Sequence, residues 1–132
     1  MKIAAVSNDG ITISQHFGRA PYYEVVEVED GAIVRRERRD KLGHAQFGAG
    51  PLHAHAPGER HGLDPASQGR HAQMLDAIRD CDFLLARGMG AGAYESARRA
   101  GIRPIVTDEP TIELAVRRVL DGTIEDHVER LH

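Results

Sequence analysis

Two eight-residue runs meet at Asp30-Gly31, and that dipeptide restricts this part of the chain to one kind of structure. Asp-Gly supplies the left-handed backbone that a two-residue hairpin turn requires. On the first run, 22–29, Val26 and Val28 alternate with Glu27 and Glu29, the pattern of a half-exposed strand. The return run, 32–39, carries Arg35, Arg36, Glu37, Arg38 and Arg39 ahead of Asp40. So many charges place it at a sheet edge, where charge discourages pairing with other molecules. Ahead of the hairpin, Lys2–Ser7 is short, apolar and partly β-branched, as suits a central strand. Three sequential strands of this kind pair antiparallel.

Beyond residue 70 the pattern changes period. A helix is expected over Gly69–Cys81, burying Met74, Leu75 and Ile78, then a compact buried strand over Asp82–Arg87. Ala93–Ala100 continues as a helix that Gly101 stops, and Ile102–Thr107 is a further strand. Pro110-Thr111 opens a last helix that buries Ile112, Ala115, Val116, Val119 and Leu120 and closes at Asp121-Gly122, ahead of a polar tail at 123–132. The strand–helix–strand crossover implies parallel pairing. The expected architecture is α/β: one domain, 1–132, with a mixed five-stranded sheet of three antiparallel strands followed by helix, strand, helix, strand, helix.

The stretch at about 40–70 fits neither period. It holds six glycines and three prolines, with His44, His53, His55 and His61 among them and His71 just beyond. That is too long for a routine connection, so it is a functional loop or a partly disordered one. His53 and His55, at i and i+2, form the tightest pair and are candidate ligands for a divalent metal; the alternative is a solvated loop. Cys81 is the only cysteine, which excludes an internal disulfide and any site built from several of the chain's own thiolates. Net charge is −3, aromatic content is 5% and tryptophan is absent, a poor match to a nucleic-acid surface. No apolar run approaches the ~20 residues of a membrane helix. The opening residues lack a signal-peptide layout, so a cytoplasmic location is expected.

Chemistry concentrates in two connections. Ser14-Gln15-His16-Phe17-Gly18-Arg19-Ala20-Pro21 packs a histidine and an arginine into a turn that glycine or proline alone would close. His16 offers a neutral nitrogen ligand and Arg19 a fixed fork for an anion, which points to a negatively charged, metal-containing ligand. A single histidine also serves often enough to satisfy nearby backbone. The second connection, Arg87–Gly92, is a glycine-rich turn from strand to helix, where outward amides favour an anion. Gly88, Gly90 and Ala93 satisfy the dinucleotide fingerprint, and Asp108 lies at the end of the next strand. A nucleotide-binding enzyme using the Gly88–Gly92 turn is therefore an alternative, although too little chain follows for a doubly wound domain. A metal-dependent nuclease needs converging carboxylates, and Asp9 alone is well placed. No nucleophile–base set is visible, so binding is the expected class rather than catalysis.

The chain resembles the dinitrogenase iron–molybdenum cofactor biosynthesis family, which includes NifX-like and NifY-like carriers and the C-terminal domain of NifB. The resemblance rests on Met1-Lys2-Ile3-Ala4, on Ser14-x-His16-Phe17-Gly18-Arg19-Ala20-Pro21-Tyr22-Tyr23 and on Arg87-Gly88-Met89-Gly90. Gly101-Ile102-x-Pro104-Ile105 and Leu120-Asp121-Gly122 extend it over most of the chain, leaving out 43–70 and the tail. It implies a ribonuclease H-like fold used for binding. It also implies a carried iron–sulfur or iron–molybdenum-type cluster, received from donor proteins and passed to acceptor proteins. His16 matches the family histidine and is the implied ligand, while Arg19 and the Gly88, Met89 and Gly90 backbone are implied to meet the cluster's charge.

Overall fold

The computed structural model describes residues 1–41 and 71–132. The expectations placed on the 42–70 stretch, His53 and His55 included, lie outside the described residues. Five strands form one sheet: β1 (Lys2–Ser7), β2 (Tyr22–Glu29), β3 (Ala32–Asp40), β4 (Phe83–Ala86) and β5 (Arg103–Val106), in the order β3-β2-β1-β4-β5. The first three pair antiparallel, and β1–β4 and β4–β5 pair parallel. The mixed sheet is thus the one the sequence predicts.

β1 is the centre. Ala4 lies opposite Val25 on one side and Leu84 on the other, and Ile3–Val6 are completely buried. A central strand covered on both faces has no room for a polar alternation, which explains its continuous apolar run. The β2–β3 turn places Asp30 and Gly31 at φ 53° and 76°, the left-handed pair that the hairpin demands. β3 is an exposed edge, as its charges imply, but Arg39 is more than a solvated charge. Its guanidinium grips Asp80 at 2.6 Å and the Ala77 carbonyl at 2.9 Å, tying the edge strand to the segment ahead of β4.

The helices are α1 (Ala91–Arg99) and α2 (Ile112–Asp121). In α2 the Thr111 hydroxyl accepts the Leu114 amide at the start, and Gly122 stops the helix at φ 77°. The helix expected over 69–81 is shorter. Residues 71–75 are helical, a tighter 3-10 turn follows at Asp76–Ile78, and the helix is over before Cys81. Parallel pairing decides this, because Asp82 already donates to the Lys2 carbonyl at 2.8 Å and the chain must turn into β4 first. Met74, Leu75 and Ile78 are buried as predicted.

The tail at 123–132 is not simply polar and solvated. It runs along the open edge of β5, where Val106 donates to Asp126 and accepts from His127. Pro104 has no N–H to offer on that strand. Tail and proline together close an edge that would otherwise template another strand. No helix among the described residues is long and apolar enough to cross a membrane.

Candidate functional site

The His16 loop leaves the carboxyl end of β1 through a turn held by two side chains. The Ser7 hydroxyl accepts the Gly10 amide at 2.8 Å and donates to the Thr12 carbonyl at 2.7 Å. Asp9 accepts the Ile11 and Thr12 amides, and these bonds lower its pKa to about 2. Asp9 therefore builds the turn, and its carboxylate is committed to backbone.

Ser14 then joins two strands. Its amide donates to Val6 of β1 at 2.8 Å, and its carbonyl accepts from Arg87 just past β4 at 3.0 Å. Its hydroxyl accepts the His16 amide, and the His16 carbonyl accepts the amides of Arg19 and Ala20. The result is a tight turn in which every third residue faces inward. Ser14, Phe17 and Ala20 are buried, while His16, Gly18 and Arg19 are exposed. Phe17 anchors the turn between Tyr23, with ring centroids 6.4 Å apart, and the Lys41 ammonium, 4.6 Å from its ring.

The glycine turn closes against this loop. The Phe17 amide donates to the Gly88 carbonyl at 3.1 Å. A Cβ on Gly88 would stand 2.1 Å from the Gln15 carbonyl oxygen, so only glycine permits the approach. Gly90 is extended (φ −78°, ψ 155°) and caps α1, which begins at Ala91, two residues before the predicted start. The early start has a partner outside the helix. Ala91 donates to the His132 carbonyl at 2.8 Å, and the His132 amide donates to Met89 at 3.3 Å.

Where the loops meet, a cavity of about 350 Å³ is lined by His16, Arg19, His71, Met89, Gly90 and His132, among others. A second, of about 340 Å³, shares His16 and His132 and adds Arg87, Gly88 and Arg130. The structure thus brings together His16, Arg19, Met89 and Gly90 around one cavity, with Gly88 in the adjoining one. Among the described residues no Asp or Glu lines either cavity, in a chain whose net charge is −3. Among the described residues, Arg19 and Arg87 have no ion-pair partner, whereas Arg130 pairs with Asp108. A metal-containing anion fits such a donor set: imidazole nitrogens bind the metal and guanidinium groups meet the charge. Among the described residues no three His, Cys, Asp or Glu side chains stand close enough to hold a single metal ion.

Other candidates fall elsewhere. Asp108 faces His127 at 3.0 Å as well as Arg130, so it is engaged with the tail. Cys81 is buried at the opposite end of β4 from Arg87, and burial, helped by the Asp80 charge, pushes its thiol up to about 12. A larger cleft of about 510 Å³ between Tyr94, Arg98, Arg103 and Asp126 contains none of the predicted residues. Sequence reasoning did not assign His71, Arg130 or His132 to the site. His71 carried a signal as part of a histidine-rich stretch. His132 carried none, since nothing in a polar tail reports that it folds back on a turn at residue 89.

A small α/β domain with a cationic, histidine-lined cleft at the carboxyl ends of parallel strands is the class defined by this fold and site. The chain belongs to the dinitrogenase iron-molybdenum cofactor family, whose profile matches residues 1–122. Among solved structures it is similar to the apo form of the orange protein from Desulfovibrio gigas (22% identity, 96% of this chain and 92% of that one, TM-score 0.64). It is similar also to a Methanocaldococcus jannaschii protein provisionally described as a dinitrogenase (10%, 97% and 95%, TM-score 0.63). A third likeness is to a Thermotoga protein provisionally described as NifB (21%, 95% and 91%, TM-score 0.56). These identities establish the fold alone. No curated protein matches the chain in sequence.

Proposed function

We propose that this protein is a non-catalytic carrier of an anionic metal–sulfur cluster, of iron–sulfur or iron–molybdenum type. It would receive the cluster from a donor protein and release it to an acceptor in nitrogenase cofactor assembly or a related pathway. The observation that carries this reading is that, among the described residues, no Asp or Glu lines either of the two adjoining cavities that present His16, Arg19 and Arg87. Such a cluster brings its own sulfides, so a chain with one buried cysteine can hold it through few protein ligands. His16 is the ligand from the family motif. Arg19 and Arg87 oppose the cluster's charge, and the close Gly88–Gln15 contact keeps the two loops in register.

Iron and acid-labile sulfide analysis of protein reconstituted without oxygen tests this, wild type beside His16→Ala. The expected result is cluster retained by wild type and lost in the variant. Equal retention by both would remove His16 from the site. Zinc or nickel bound without sulfide, and unaffected by the substitution, would oppose the carrier reading and move attention to His53 and His55.

A further inference from the structure

The 123–132 tail lies beyond the part of the chain that matches the family, yet one of its residues sits in the middle of the site. His132 is fixed there by its backbone. Its amide donates to Met89 at 3.3 Å and its carbonyl accepts from Ala91 at 2.8 Å, so the residue straddles Gly90 at the start of α1. The imidazole is exposed, and among the described residues it has no hydrogen-bond partner. It lines both cavities that His16 lines. We propose that His132 is a second imidazole ligand to the cluster, contributed by the tail, so that the cargo is held between His16 and His132. This rests on the carrier reading above.

Three physical points carry it. A donor held by two backbone hydrogen bonds has already lost most of its freedom, so coordination through its side chain costs little further ordering. Imidazoles presented by two separate segments around the same cavities suit a polynuclear ligand, in which each nitrogen takes a different metal atom. A single chelated ion fits poorly, since no three metal-binding side chains among the described residues gather closely enough. The tail is also anchored independently of the ligand, through Val106, Asp126 and His127 on β5. His132 is thus presented by a strap tied down elsewhere.

The placement yields a clean variant. His132→Ala removes the imidazole and keeps the N–H and C=O that hold the strap, so the thermal midpoint and the exchange protection of the Ala91 amide stay at wild-type values. The probe is a [4Fe–4S] cluster assembled from ferrous iron and sulfide on the full chain and reduced with dithionite. Pulsed electron paramagnetic resonance then counts coupled histidine nitrogens in protein labelled with 15N-histidine. Wild type is expected to show two. His132→Ala should show one and hold its cluster about tenfold or more less tightly, as metal sites do when a supporting group is lost. His132→Cys should restore retention, because a thiolate is a competent cluster ligand. One coupled nitrogen in wild type, with retention unchanged in His132→Ala, would overturn the proposal while the carrier reading stands. A wild-type protein that retains no cluster would overturn both.

Discussion

Replacing Gly88 by alanine tests whether the two site loops are truly fitted to each other. The added Cβ would lie 2.1 Å from the Gln15 carbonyl oxygen, against the about 3.3 Å at which carbon and oxygen normally meet. The backbones must separate by about 1.2 Å to restore that approach. No side chain can swing aside, because the obstacle is main chain. Gln15 is tied down on both sides, by Arg87 donating to Ser14 at 3.0 Å and Phe17 donating to Gly88 at 3.1 Å. Overpacking of this kind costs about 1–3 kcal/mol, and each weakened hydrogen bond adds about 0.5–1.5. An overall loss of about 2–6 kcal/mol follows, a large share of the about 5–15 kcal/mol that holds a domain folded. Gly88 is not in the left-handed region, so none of this is backbone strain. Gly18→Ala is the matched control in the same loop, where a Cβ meets nothing within 4 Å. Urea unfolding of the two variants beside wild type measures the difference. A Gly88→Ala protein within about 0.5 kcal/mol of wild type, the scatter of neutral surface changes, would refute the fit. A Gly18→Ala protein as unstable as Gly88→Ala would do the same.

Lys41 is 3% exposed with no hydrogen-bond partner for its ammonium among the described residues, and burial lowers its pKa from 10.5 to about 8. That drop corresponds to about 3 kcal/mol against the charged form, offset by about 1–2 from the Phe17 ring, so Lys41→Met should stabilise by about 1–2 kcal/mol at pH 7. The unfolded chain holds the extra proton between pH 8 and 10.5, so wild type gains stability across that window and the advantage of the variant shrinks. Chemical unfolding at pH 7 and pH 9.5 checks the sign, and an advantage that grows with pH would contradict it. Cys81, buried and with its thiol pushed up to about 12, should resist iodoacetamide at pH 8.5 until the protein is unfolded. Rapid alkylation of native protein, followed by mass spectrometry, would show that the thiol is accessible.

The strands and hairpin were legible because each rests on a local cause. Asp30-Gly31 sets the turn, and the arginines of β3 mark an edge whatever surrounds it. Helix ends were less legible, because tertiary partners set them. The segment before β4 stops at Ile78 since Asp82 must pair with Lys2, and α1 starts at Ala91 since His132 accepts that amide. Neither partner is near in sequence. The His16 loop stood out as a candidate site, since a turn carrying a histidine and an arginine says more than a turn needs to, and the structure sets both residues on one cavity. Its geometry was not legible, because the inward-facing Phe17 acquires meaning only against Tyr23 and Lys41.

Gly88 shows how a residue can be singled out for an incomplete reason. Glycines after a buried strand suggest amides opened toward an anion, and Gly88 and Gly90 do border the site. Yet Gly88 is required by the Gln15 backbone, and the first amide of α1 is satisfied by His132. Part of the positive end of that helix is therefore used within the protein. The charge available to an anion in the cleft comes chiefly from side chains, Arg19 and Arg87, which have no ion-pair partner among the described residues. That division suits the carrier role proposed above. Guanidinium groups on exposed or half-exposed positions attract an anion from a distance and release it to a partner of stronger field. A closed nest of backbone amides would hold the same ligand without easy exchange.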